Sequence, residues 1–214
     1  MSVETEYRVG MQSKLSGKGT PSMSSYGSTH VKDEFMAAVE DGRCYAVANQ
    51  AGVTSQAGLS ATTPVLTLVN PAGSGISGRL WFAGATIEVA AATAGVIHLA
   101  VGTNTIAAAV TGTLTTAHRN LKLGSAGVVS GSQGNRVVPM LAATLPAAPV
   151  SIALLGVMLT GAITTIPALP TYGRWFNGAV LIQPGVNVSI QTNVASGASG
   201  LLCEFIWEEI PLVS

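Results

Sequence analysis

Three histidines, ten acids and ten bases are the groups from which this 214-residue chain could build a catalytic or metal centre. Their spacing does not converge. A serine triad needs an acid to orient its histidine, yet Glu88 is the only acid between Gly42 and Cys203. Paired carboxylates for glycoside hydrolysis would have to join Glu88 to Glu204, Glu208 or Glu209 at the far end. Glu208 and Glu209 read more simply as a solvated end or an ion pair between subunits. His98 sits in the apolar run Val96–Val101 and reads as a strand histidine. His118 precedes Arg119 and Asn120 in a polar turn, and His30 lies in a polar N-terminal stretch. Zinc sites favour HxH or HExxH spacings, and neither occurs. Cys44 and Cys203 also lack metal-ligand spacing, and a buried thiol is the default for Cys203. The expectation is no enzyme, no metal and no cofactor.

The glycine-rich stretches 70–78 and 124–135 lack the GxxxxGK[ST] order and the helix of a phosphate loop. They read as connections between strands. Trp81 and Trp207 lie in apolar runs and suit a core. Trp175 is different. With Tyr172, Arg174 and Phe176 it forms TYGRWF, the densest aromatic and arginine cluster in the chain. Such residues are enriched at contact hot spots, so Tyr172, Arg174 and Trp175 are candidate partner-binding residues, with a buried corner as the competing reading.

Charged residues make up only 9% of the chain, against about 25% in a typical domain, while apolar residues stand at an ordinary 48%. So few charges leave little to keep an isolated surface apart from its neighbours, and coverage by partners is expected. Charge is also unevenly placed. Residues 1–41 mix Arg8, Lys14, Lys18 and Lys32 with six acids, the middle carries six bases against Glu88, and Glu204, Glu208 and Glu209 crowd the end. These pieces could meet within a subunit or between subunits. No basic cluster is dense enough for nucleic acid. Residues 137–172 carry no charge, but five prolines and two glycines break the stretch, so buried strands are expected in place of a membrane span. No basic segment leading into an apolar one opens the chain, which points to synthesis and assembly in a cytoplasm.

The elements that must position these residues fall into two regions. Residues 1–41 form an extended arm ending in a short helix, VKDEFMAAVED, with acids in its first turn and Gly42 after it. Along the arm, Tyr7, Leu15, Met23 and Tyr26 supply spaced apolar anchors. They suit either a segment that orders on a neighbouring subunit or a disordered tail. Residues 42–214 show many short apolar or alternating runs separated by Gly, Pro, Asn and Ser, the pattern of an antiparallel β-sandwich. Candidate strands include 65–69, 79–89, 96–102, 105–110, 150–159, 178–182, 187–192 and 201–208. Turns are expected at Asn70-Pro71, Gly102–Asn104 and Pro184-Gly185. In the last strand Leu201, Cys203, Phe205 and Trp207 share one face.

The run LIQPGVNVSIQTNVASGASG, followed by a closing strand with FIWEEIP, resembles the end of the jelly-roll domains of tailed-bacteriophage virion proteins. The likeness extends to LWFAGATIEVAAATAGVIHLAVGTN, Leu80–Asn104. It implies an all-β, jelly-roll-like sandwich in a homotrimeric capsid decoration (cement) protein of the virion, bound to major capsid protein subunits. A tail or fibre receptor-binding domain, or a jelly-roll shell protein, is the alternative. The mixed charge of the arm argues against a shell protein that neutralises packaged RNA.

Overall fold

Alternation in Val186–Thr192 and Leu201–Glu208 sets the inner faces of two neighbouring layers. In the computed structural model, which describes residues 33–88, 91, 93–115, 118–123, 136–158, 160, 171–195 and 200–212, these runs become strands in two stacked antiparallel sheets. The elements are α1 (Glu34–Glu40), β1 (Cys44–Ala48), β2 (Leu66–Asn70), β3 (Ile76–Ile87), β4 (Gly95–Thr103), β5 (Thr111–Leu114), β6 (Arg119–Asn120), β7 (Val138–Thr144), β8 (Val150–Met158), β9 (Thr171–Ile182), β10 (Val186–Thr192) and β11 (Leu201–Pro211). One sheet has the order β6-β1-β11-β3-β9, and the other β5-β7-β2-β10-β4-β8. All lie in one compact unit, Glu34–Ser214.

The order has a simple rule. The first strand pairs with the last, the second with the penultimate, the third with β9 and the fourth with β8. The chain is thus one long antiparallel ribbon rolled over itself, which gives the four-on-four strand order of a jelly roll. β5 and β7 also pair with each other. They extend the six-stranded sheet beyond β2, while β6 extends the five-stranded sheet beyond β1. The side opposite that extension ends in β8 and β9.

Between the sheets lies the main core. β11 sends in Leu201, Cys203, Phe205 and Trp207, as its alternation requires, and these meet Leu66, Leu68, Leu99, Val188 and Ile190 from the facing sheet. Each large apolar side chain so buried contributes about 1.5–3 kcal/mol. A second cluster, of Val69, Val110, Met140, Ala143 and Leu145, covers part of the other face of the six-stranded sheet. The helix covers the outer face of the five-stranded sheet. There Ala38, with Phe35 and Val39, packs on Cys44 and Trp81. Gly42, at φ 73°, closes it: Arg43 N–H donates to the Ala38 carbonyl and Gly42 N–H to that of Val39. This is a Schellman cap, which needs a left-handed residue.

Cys44 and Cys203 are both buried and free, and they belong to different clusters on either side of the five-stranded sheet. Burial pushes the Cys44 thiol up to about 11, and the Cys203 thiol also upward. Neither is poised to react. No helix among the described residues is long and apolar enough to cross a membrane.

Three expected turns meet at one end of the sandwich. Gly185 N–H donates to the Asn70 carbonyl at 2.9 Å, and Asn104 N–H to the Gly185 carbonyl at 2.8 Å. Asn70 is the hub: its side-chain amide donates to the carbonyls of Ile76 (2.9 Å) and Ile182 (2.7 Å) while fully buried. Residues 105–110, expected as a strand, instead form a turn closed by Thr105 N–H on the Ala108 carbonyl, and the strand follows at Thr111. Asn70→Ala removes both of these donated bonds and the acceptor of the Ser74 hydroxyl inside the closed end of the sandwich. It is expected to lower stability by about 2–3 kcal/mol, measured as a shift in the urea midpoint at unchanged slope.

Candidate interaction surface

An edge strand exposes a row of unpaired backbone groups, and its side chains decide whether that row is protected. β8 and β9 are the edge strands on one side of the sandwich, one from each sheet. They touch there: a Cβ on Gly156 of β8 would run into the ring of Tyr172 of β9. β8 has the sequence VSIALLGVM, without a charge or a proline. Val150 is 68% exposed and Leu154 61%, with Ile152 and Val157 also outward. Two register shifts against β4, at Ile97/His98 and Leu99/Ala100, bend the strand. Bulges of this kind are one way to blunt an edge; the other devices, inward charges and lysines, are missing from β8.

β9 carries the TYGRWF cluster, and its alternation splits that cluster between two faces. Tyr172 and Phe176 turn to the main core. The guanidinium of Arg174 lies over the Phe176 ring at 5.3 Å. Trp175 faces outward from the sheet, 53% exposed, with its ring 5.1 Å from Phe82 and 5.8 Å from Phe35 of the helix. The three candidate residues therefore share a strand but not a surface. Tyr172 closes the seam between the sheets, while Trp175 belongs to an aromatic patch with Phe35 and Phe82. Tyr7, Leu15, Met23 and Tyr26 lie outside the described residues.

The C-terminal carboxylates are neither a solvated end nor held in reserve for another subunit. Glu208 is 1% exposed and pairs with Arg43, with Arg79 at 3.6 Å. Arg79 also pairs with Glu34, which ties the helix to β3. Glu209 takes Arg136 Nε at 3.2 Å and the Val137 N–H at 3.1 Å, and Arg136 also donates to the Tyr45 hydroxyl at 2.8 Å. The oppositely charged parts of the chain thus meet within the subunit. Sequence spacing could not reveal this, because the partners lie about 45 to 165 residues apart along the chain.

The two described histidines, His98 and His118, serve the frame. His98 Nδ1 bonds Ser151 Oγ at 2.9 Å and so joins β4 to the edge strand β8. Its Nε2 is buried without a partner, and burial lowers its pKa. Serine and histidine are adjacent, but the acid position of a triad is empty of any hydrogen-bond acceptor. His118 Nδ1 meets the Thr115 carbonyl at 3.1 Å. Among the described residues no group of three His, Cys, Asp or Glu side chains could hold a metal ion.

Burial raises the pKa of Glu209, and Arg136 and the Val137 N–H offset this only in part. The folded chain therefore keeps a proton that the unfolded chain has lost. Stability from this group falls as pH rises from the ordinary carboxylate range to the raised folded value. Glu209→Gln is expected to flatten that fall, read as the difference in urea midpoint between variant and wild type from roughly pH 4 to pH 7. Comparison of the chain with protein-family models, with curated proteins and with solved structures gives no match.

Proposed function

We propose that this chain is a structural protein of a bacteriophage virion, a capsid decoration subunit that associates with its own copies through the β8–β9 side. The observation that carries this reading is the uncharged apolar edge strand β8, exposed beside β9 along an entire side of a rolled sandwich. A contiguous apolar surface of this kind marks an interaction site in a soluble protein. An edge also offers backbone donors and acceptors to an incoming chain. The lack of charge on β8 removes like-charge repulsion between copies. The strand order supports the resemblance to jelly-roll virion domains, from which the trimeric state and the capsid partner are taken. In this reading the part of the arm before the helix reaches the shell, with Tyr7, Leu15, Met23 and Tyr26 as anchors, and contacts neither nucleic acid nor membrane.

A second reading, a tail or fibre domain that binds host glycans, draws on Trp175, whose half-exposed ring could stack on a sugar. Copy number separates the two. A decoration protein co-purifies with intact particles in numbers comparable to the shell subunits, and a tail protein in only a few copies.

Two experiments test the reading. Leu154→Lys with Val157→Lys places charges on exposed positions of β8. It is expected to change monomer stability by no more than about 0.5 kcal/mol while converting the trimer to monomer in native mass spectrometry. A variant that stays trimeric would move the interface elsewhere. Deleting residues 1–30 is expected to leave a folded trimer that no longer co-sediments with capsids, and undiminished binding would remove the arm from the account.

A further inference from the structure

Seven asparagines lie among the described residues, and the fold treats one of them differently. Asn49, Asn70, Asn104, Asn120 and Asn187 are buried. The side-chain amides of the first four are hydrogen-bonded to backbone carbonyls, and that of Asn187 faces Asn104. Asn193 is exposed, but its Oδ1 accepts the Val96 N–H at 2.7 Å. Asn177 is exposed, and no hydrogen bond from another described residue holds its side chain. It is also the one asparagine in the chain followed by glycine.

The backbone there is equally open. β9 pairs with β3 through Thr171–Trp175 and again from Val180, so 176–179 have no partner in the ladder. Among the described residues no strand pairs with the other side of β9, which is the edge of its sheet. Asn177 and Gly178 both take positive φ, 50° and 75°, in this bulge. Gly178 thus stands outside the residues that pair with β3, it carries no Cβ, and the Asn177 side chain beside it is exposed.

We propose that Asn177 is a site of backbone-assisted deamidation, at which the folded protein converts one asparagine to aspartate and isoaspartate. A base takes the Gly178 amide proton, and the nitrogen attacks Asn177 Cγ. The new N–Cγ bond forms as the Cγ–Nδ2 bond breaks, and Nδ2 leaves as ammonia with a proton from water. The resulting five-membered succinimide is then opened by water. Addition at Cγ breaks the new bond and gives aspartate. Addition at the backbone carbonyl carbon breaks the original peptide bond to Gly178 and gives isoaspartate, with one extra methylene in the main chain. No oxidant or reductant takes part. The product adds one negative charge to a chain of formal net charge zero. That charge arises one residue from Gly178, against which the side chain of Arg79 lies, and so close to the Arg79–Glu34 pair that fixes the helix.

The test uses the full-length folded protein, incubated in mildly alkaline buffer. Anion exchange is expected to show a growing acidic form, at a rate proportional to hydroxide. Peptide mapping should place a one-unit mass gain in the segment after Arg174. An isoaspartyl methyltransferase with a labelled methyl donor should mark the same segment. Asn177→Gly keeps the positive φ without strain and should abolish all three signals while leaving the circular dichroism unchanged. The proposal is overturned if the gain maps first to another asparagine. It is also overturned if Asn177 stays intact in the folded protein while the urea-unfolded chain deamidates there.

Discussion

The pairing of β11 between β1 and β3 is the interaction on which the rest of the molecule depends. The last strand enters the middle of the five-stranded sheet, so neither neighbour is complete until the chain ends. Its inward residues supply the largest buried side chains, Phe205 and Trp207. Its residues Glu208 and Glu209 collect Arg43, Arg79 and Arg136. Because first pairs with last and second with penultimate, most stabilising contacts join distant parts of the sequence. Loop-closure entropy must then be overcome before those contacts form, a topology that folds slowly for its size.

One irregularity in that strand pairing shapes the outer surface. Ile206 faces Phe82 and Trp207 faces Leu80, so Trp81 is the extra residue of a bulge in β3. Without it, Trp81 and Phe82 would point to opposite faces. With it, Leu80 and Ala83 both reach the core while the two aromatics share the outer face. Phe35 of the helix settles against Trp81, and Trp175 against Phe82. A single inserted residue thus builds the helix seat and the exposed aromatic patch together.

Charge is scarce in this protein, and the described ion pairs concentrate it at the five-stranded sheet. Burying Glu208 would be prohibitive for a lone carboxylate, and two arginines compensate it. The side of the sandwich that ends in β8 is left with apolar groups and backbone edges. Arg43, Arg79, Arg136, Glu208 and Glu209 hold the subunit to itself, and the uncharged side chains of β8 face outward at its edge.

Local patterns in the sequence determined the all-β class, the helix before Gly42, the Pro184-Gly185 turn and the inward residues of β10 and β11. They could do so because period-two alternation and turn chemistry are written in neighbouring residues. The same reasoning missed the first half of β9, since aromatic and glycine residues masked the strand in TYGRWF, and it placed a strand at 105–110 where a threonine-closed turn forms. The partners of Glu208 and Glu209, the division of Tyr172 from Trp175, and the identity of β8 and β9 as edges were decided by tertiary structure alone. An edge is defined by the absence of a neighbour, and an ion pair by a meeting across the sheet. Neither leaves a period in the sequence, because both arise only when the ribbon rolls.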